Sequence, residues 1–164
     1  MTRQIPSSSD EATAALRRLQ HELDHPPFHA LLGGPRAISA DPATGTVVLE
    51  IPYRQGFRRA RDSGDIHGGV LAAAIDMAAH AAVAVQCGRM TPTIDLRIDY
   101  LRPAPAGDLS VTARTLKVGR AIARADVEIR GGDGAVVAVG RGTFSTLKPA
   151  GLQAAAAPQG EQNP

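Results

Sequence analysis

The segment His67-Gly68-Gly69, followed seven residues later by Asp76, holds the groups of this chain best placed to do chemistry. Paired glycines let the backbone turn tightly and expose its N–H groups where a helix begins, which makes a site for a carbonyl oxygen or an anion. The run after the turn, Val70 to Val85, is apolar nearly all round. Its polar intruders before Gln86 are Asp76 and His80, four residues apart and therefore on one stripe of a helix. An ionised carboxylate is costly to bury without a partner or a purpose, so Asp76 calls for an explanation.

Something must position those groups. A chain of 164 residues suits one domain able to bury a core without disulfides or metals. The single cysteine, Cys87, excludes an intramolecular disulfide and a cysteine-rich zinc site, and no metal is expected. Sixteen arginines and two lysines stand against dispersed acids, for a formal net charge of +2. No basic run is interleaved with aromatics, so nucleic acid is not expected as a partner. The N-terminus lacks a basic segment leading into an apolar core, which points to the cytoplasm rather than to secretion. Val70 to Val85 falls short of the ~20 residues that span a bilayer and carries an acid and a histidine, so it is expected as a core helix, not a membrane segment.

Three parts are expected: a leader with an N-terminal helix over 1–24, a domain over 25–147 and a disordered tail over 148–164. Ser7-Ser8-Ser9-Asp10-Glu11 reads as a capped helix start, Ala15, Leu16, Leu19 and Leu23 recur at helical spacing, and Pro26-Pro27 ends the helix. After the Gly33-Gly34-Pro35 turn, Ala37 to Tyr53 reads as a hairpin around Asp41 to Gly45, and an arginine-bearing loop, Arg54 to Asp65, leads to the glycine turn. Beyond the helix, Ile94, Leu96, Ile98 and Tyr100 alternate with Asp95, Arg97 and Asp99, a strand with one buried face. Leu109, Val111 and Ala113 begin a second strand whose phase change at Leu116 and Val118 implies a bulge near Arg114-Thr115. Ala121 to Ile129 and Ala135 to Phe144 complete an antiparallel set with short turns. The order argues for an α+β fold, one antiparallel sheet curled around a long central helix, with an N-terminal helix added.

Gly64 to Phe144 resembles the phenylacetate-pathway (PaaI-like) type of acyl-CoA thioesterase, a hotdog-fold family in which the sheet wraps the long helix. The matching pieces are His67-Gly68-Gly69, Asp76 nine residues after His67, Thr93-Ile94-Asp95-Leu96, Tyr100-Leu101-Arg102-Pro103, Gly107-Asp108, Gly119-Arg120 and Gly142-Thr143-Phe144. The resemblance implies hydrolysis of an acyl-CoA carrying a small or aromatic acyl group, with coenzyme A as part of the substrate and no separate cofactor. It also implies a homodimer at minimum, often a homotetramer. Helix geometry agrees: Asp76 lies about 10 Å beyond Gly69 along one helix, so one protomer cannot bring both to one carbonyl. Two such helices packed antiparallel across a two-fold axis can, and a dimer then holds two composite sites.

In that arrangement the Gly69 amide, aided by the helix dipole, stabilises charge on the thioester oxygen, an interaction typically worth about 10²–10³ in rate. Asp76 of the other protomer either deprotonates water or attacks directly to form an anhydride. His67 and Gly68 complete the turn, His67 as its stabiliser rather than as a base. His80 is read as a supporting or structural group whose charge, if it carries one, bears on Asp76. Thr93 aligns with a family hydroxyl that orients the water, although alternation places it on the face of Asp95. Arg102 and Arg120 are candidates for the phosphates of coenzyme A. Arg61 stands six residues before His67, where relatives carry an asparagine, and could meet a polar or carboxylated acyl group. The rival from another class is a non-catalytic acyl-CoA binding module; a dehydratase on the same fold would need a differently placed histidine and acid.

Overall fold

The computed structural model describes residues 8–147; the leader before Ser8 and the expected tail over 148–164 lie outside them. In chain order the elements are α1 (Ser8–Asp24), α2 (Pro27–Leu31), β1 (Arg36–Asp41), β2 (Thr46–Ile51), α3 (Gly68–Cys87), β3 (Thr93–Tyr100), β4 (Leu109–Val118), β5 (Ile122–Arg130) and β6 (Val136–Ser145). The strands form one antiparallel sheet in the order β1-β2-β4-β5-β6-β3, so β3 closes the edge opposite β1. This is the hotdog arrangement, with α3 laid on one face of the sheet.

Small residues set how near helix and sheet come. A Cβ on Gly140 would stand 2.6 Å from Ile75, and one on Gly142 would stand 2.5 Å from the Phe144 ring and 3.1 Å from Ala79. Glycines on β6 thus face the alanines and Ile75 of α3 at a distance no side chain there would permit. Behind them Val111, Ala113, Ala125, Ile129 and Phe144 are fully buried with Ala74, Ile75 and Ala78 of the helix. Truncating a residue such as Ile75 to alanine in so tight a core typically costs about 2–5 kcal/mol. Outside this layer, α1 buries Ala15, Leu19 and Leu23. Gln20 pins it to β1: its side chain accepts from the Ala37 N–H at 2.7 Å and donates to the Pro35 carbonyl at 3.2 Å.

Four expectations change. Pro26-Pro27 does end α1, but Pro27 also opens the short α2, because proline at the first helical position gives up an N–H that would have no partner there. In β4 the buried alternation continues through Thr115 and the register shifts between Thr115 and Lys117, so Leu116 and Val118 face outward rather than into the core. At 20 residues α3 is long and apolar enough by length and composition to cross a bilayer, so length alone does not argue against it; nine of its residues are buried inside the domain. The fourth concerns β3. Its apolar face is not buried within the chain, since Ile94 is 58% and Tyr100 54% exposed and Leu96 and Ile98 are only half-buried.

Candidate active site

The turn before α3 is tied down from both sides. The Ile66 N–H donates to the Ala104 carbonyl at 2.8 Å and the His67 N–H to the Phe57 carbonyl at 2.7 Å. His67 then caps the helix, with φ −65° and ψ 134°, and its Nδ1 accepts from the Gly69 N–H at 2.9 Å. The Gly69 amide, expected to face the substrate, is therefore committed to the cap. The Val70 N–H donates to the His67 carbonyl at 2.9 Å. The Gly68 N–H has no acceptor among the described residues, so the open donor at the positive end of the helix dipole lies one residue earlier than expected. Tyr100 holds the next peptide, between Gly68 and Gly69: its hydroxyl donates to the Gly68 carbonyl at 3.1 Å, and a Cβ on Gly68 would meet the Tyr100 ring at 3.3 Å.

Asp76 is half-buried on α3, and its Oδ1 accepts from the Thr93 hydroxyl at 3.0 Å. Simple alternation would have sent Thr93 outward with Asp95. Thr93 pairs with Phe144 and Asp95 with Thr143, so Ile94 is an extra residue in β3, and the bulge turns Thr93 to the helix side. His80, one turn beyond Asp76, accepts at Nε2 from the Thr91 N–H at 3.3 Å, with its ring 6.0 Å from that of Phe144. Burial pushes its pKa below the ordinary histidine value, and the opposing pull of the Asp76 carboxylate is the smaller effect. At neutral pH His80 is an uncharged imidazole, not a cation beside the acid.

The arginines are distributed differently. Arg61 is exposed at the tip of the loop before the turn and has no polar partner among the described residues; Arg59 below it pairs with Asp65 at 3.1 Å. Arg102 pairs with Asp133 at 2.6 Å, so its charge is answered within the chain. Arg120 is exposed at the β4–β5 turn, where the Gly119 N–H donates to the Ile122 carbonyl at 2.8 Å. Among the described residues no group of three or more His, Cys, Asp or Glu is placed to hold a metal.

Two half-sites result. One is the Gly68 amide with His67 and Tyr100; the other is Asp76 with Thr93, eight residues and about 12 Å further along the same helix. Tyr100 was missed as a site residue. Its signal was a polar aromatic ending an alternating strand, where a core residue would be apolar.

Residues 63–138 match the sequence family described as the thioesterase superfamily. A Halobacterium salinarum protein named as an esterase is 32% identical over 131 residues, 73% of this chain and 86% of the relative. The medium/long-chain acyl-CoA thioesterase YigI of Salmonella typhimurium is 34% identical over 95 residues, 48% of this chain and 61% of that protein. Among solved structures, the E. coli PaaI protein from the phenylacetic acid degradation operon superposes with a TM-score of 0.73 at 26% identity, covering 87% of this chain and 97% of that one.

Proposed function

The chain belongs to the thioesterase superfamily and is a thioester hydrolase, and we propose that it cleaves acyl-CoA to the free acid and coenzyme A in sites shared by two protomers. The observation that carries this reading is the Asp76 carboxylate, held by a neutral hydroxyl beside an unpaired sheet edge. That carboxylate is too far along its own helix to serve its own Gly68 amide. A second copy docked antiparallel along β3 would cover Ile94 and Tyr100 and bring its Gly68 amide to Asp76 of the first. The acyl-CoA substrates named for YigI, and the family itself, support the substrate class.

The residues then divide the work. The Gly68 N–H and the helix dipole stabilise the oxyanion that grows on the thioester carbonyl. Asp76 takes the proton of the attacking water or attacks the carbonyl itself, and the Thr93 hydroxyl holds the carboxylate in one orientation for either course. His67 keeps the turn in shape by occupying the Gly69 N–H. Of the three candidate arginines, Arg120 and Arg61, both exposed and without partners among the described residues, are free to meet the coenzyme A phosphates or a charged acyl group; Arg102 would have to leave Asp133 to do so.

Free-thiol release from a panel of acyl-CoA esters, run beside Asp76→Asn, tests the proposal. Turnover by the wild type and a loss of about 10²-fold or more in the variant are expected. Binding of the esters without thiol release would establish the non-catalytic binding module instead.

A further inference from the structure

Between α1 and α3 lies a cavity of about 90 Å³ that neither half-site uses. Leu19 of α1 and Met77, Ala81 and Ala84 of α3 wall it with carbon, and Arg18, Glu22, His29 and Arg89 also line it. A mostly apolar cavity near reacting groups is where the apolar part of a substrate is accommodated. Met77 adjoins Asp76 in sequence, and His80, which also lines the cavity, stands about 6 Å of helix rise beyond it.

Of the polar groups that line it, His80 carries a donor whose direction the structure fixes. Its Nε2 accepts from the Thr91 N–H, so the proton of the neutral ring sits on Nδ1. Among the described residues nothing accepts from that Nδ1–H. A donor in an apolar cavity with no protein partner selects a ligand that brings an acceptor of its own.

We propose that this groove receives the acyl part of the thioester, a slender aliphatic chain bearing a hydroxyl or keto oxygen that accepts from His80 Nδ1–H. The proposal rests on the reading of Asp76 as the group that acts on the thioester. It replaces the small or aromatic acyl group that the family resemblance implies with a chain laid along the groove between α1 and α3, whose walls are mostly aliphatic. The α1 wall lies outside residues 63–138, the segment matched by the family model.

The test measures kcat/KM for straight-chain esters from acetyl- to dodecanoyl-CoA, their 3-hydroxy counterparts and benzoyl-CoA. Wild type is compared with Ala84→Trp, the milder Ala84→Leu, His80→Leu and Asp76→Asn. Chains should be favoured over benzoyl, and Ala84→Trp should cut the octanoyl-to-acetyl ratio tenfold or more, with Ala84→Leu between it and wild type. His80→Leu should cut the hydroxylated-to-plain ratio about tenfold, the effect of one hydrogen bond. Hydrolysis that depends on Asp76 while these ratios stay put, or that favours benzoyl-CoA, overturns the groove alone. If no ester is cleaved, or Asp76→Asn cleaves all of them as fast as wild type, the parent reading fails and the groove proposal falls with it.

Discussion

The outer face of β5 and β6 and the edge at β3 both carry charge, and they treat it in opposite ways. On the outer face the register sets Arg141 across from Asp126, and the guanidinium donates to both carboxylate oxygens at 2.6 and 2.8 Å. Arg130 pairs with Glu128 at 2.7 Å nearby. These charges answer one another in water, where such pairs contribute little and any solvated sheet face can carry them. At the β3 edge the Asp76 carboxylate is half-buried, its hydrogen bond comes from a neutral hydroxyl, and no Arg or Lys forms an ion pair with it among the described residues. Exposed Ile94 follows Thr93 on the same edge strand. A charge already answered inside its own chain is part of the scaffold. A charge left with a light partner, beside exposed apolar surface, is where the proposed second copy would close and the proposed chemistry would have room.

The contrast can be broken by substitution. Asp76→Asn should produce the largest effect, the loss described above, whereas Asp126→Asn should leave turnover and melting temperature nearly where they were; thiol release and thermal scans compare them directly. Ile94→Lys should come next, placing a charge in the strand edge that the partner would cover. Sedimentation should then show lone protomers at concentrations where the wild type is dimeric, with turnover falling in proportion. Thr93→Ala should lower kcat about tenfold by freeing the Asp76 carboxylate to rotate, with KM little changed, and Thr93→Ser should restore most of it.

The smallest expected effect is on pH dependence. Because the folded-state pKa of His80 is lowered, the unfolded chain binds its proton first as pH falls. The contribution of the neutral ring to stability is complete above the ordinary histidine pKa of about 6.5 and shrinks as pH drops below it. Melting temperature followed from pH 7.5 to 5 should fall less steeply in His80→Leu than in the wild type.

Much of this was legible in the chain itself. The glycine turn, the apolar run and the alternating strands after it specify α3 and the antiparallel sheet, because the strands keep a two-residue period and the run after the turn is apolar nearly all round and too long for a strand. What could not be read were features decided by one residue's register or one hydrogen bond. The bulge at Ile94 depends on how β3 pairs with β6, and it alone turns Thr93 from the outer face to Asp76. The cap bond from Gly69 to His67 depends on a side-chain rotamer, and it moves the open amide to Gly68. The charge state of His80 depends on burial by a distant segment of chain. The exposed face of β3 reads as core in the sequence because alternation reports that a face is apolar and not what lies against it.

A mixing experiment tests the shared site most directly. Asp76→Asn removes the acid, and Gly68→Pro removes the open N–H while keeping the turn, since proline suits the first helical position and His67 before it is already extended. Each variant alone should be nearly inactive. If each site joins the acid of one protomer to the amide of its mate, every mixed dimer holds one intact site, and equal mixing with free exchange should restore about a quarter of wild-type turnover. Mixtures that exchange subunits fully and stay as inactive as their components would show that acid and amide belong to one chain, and the shared site would be wrong.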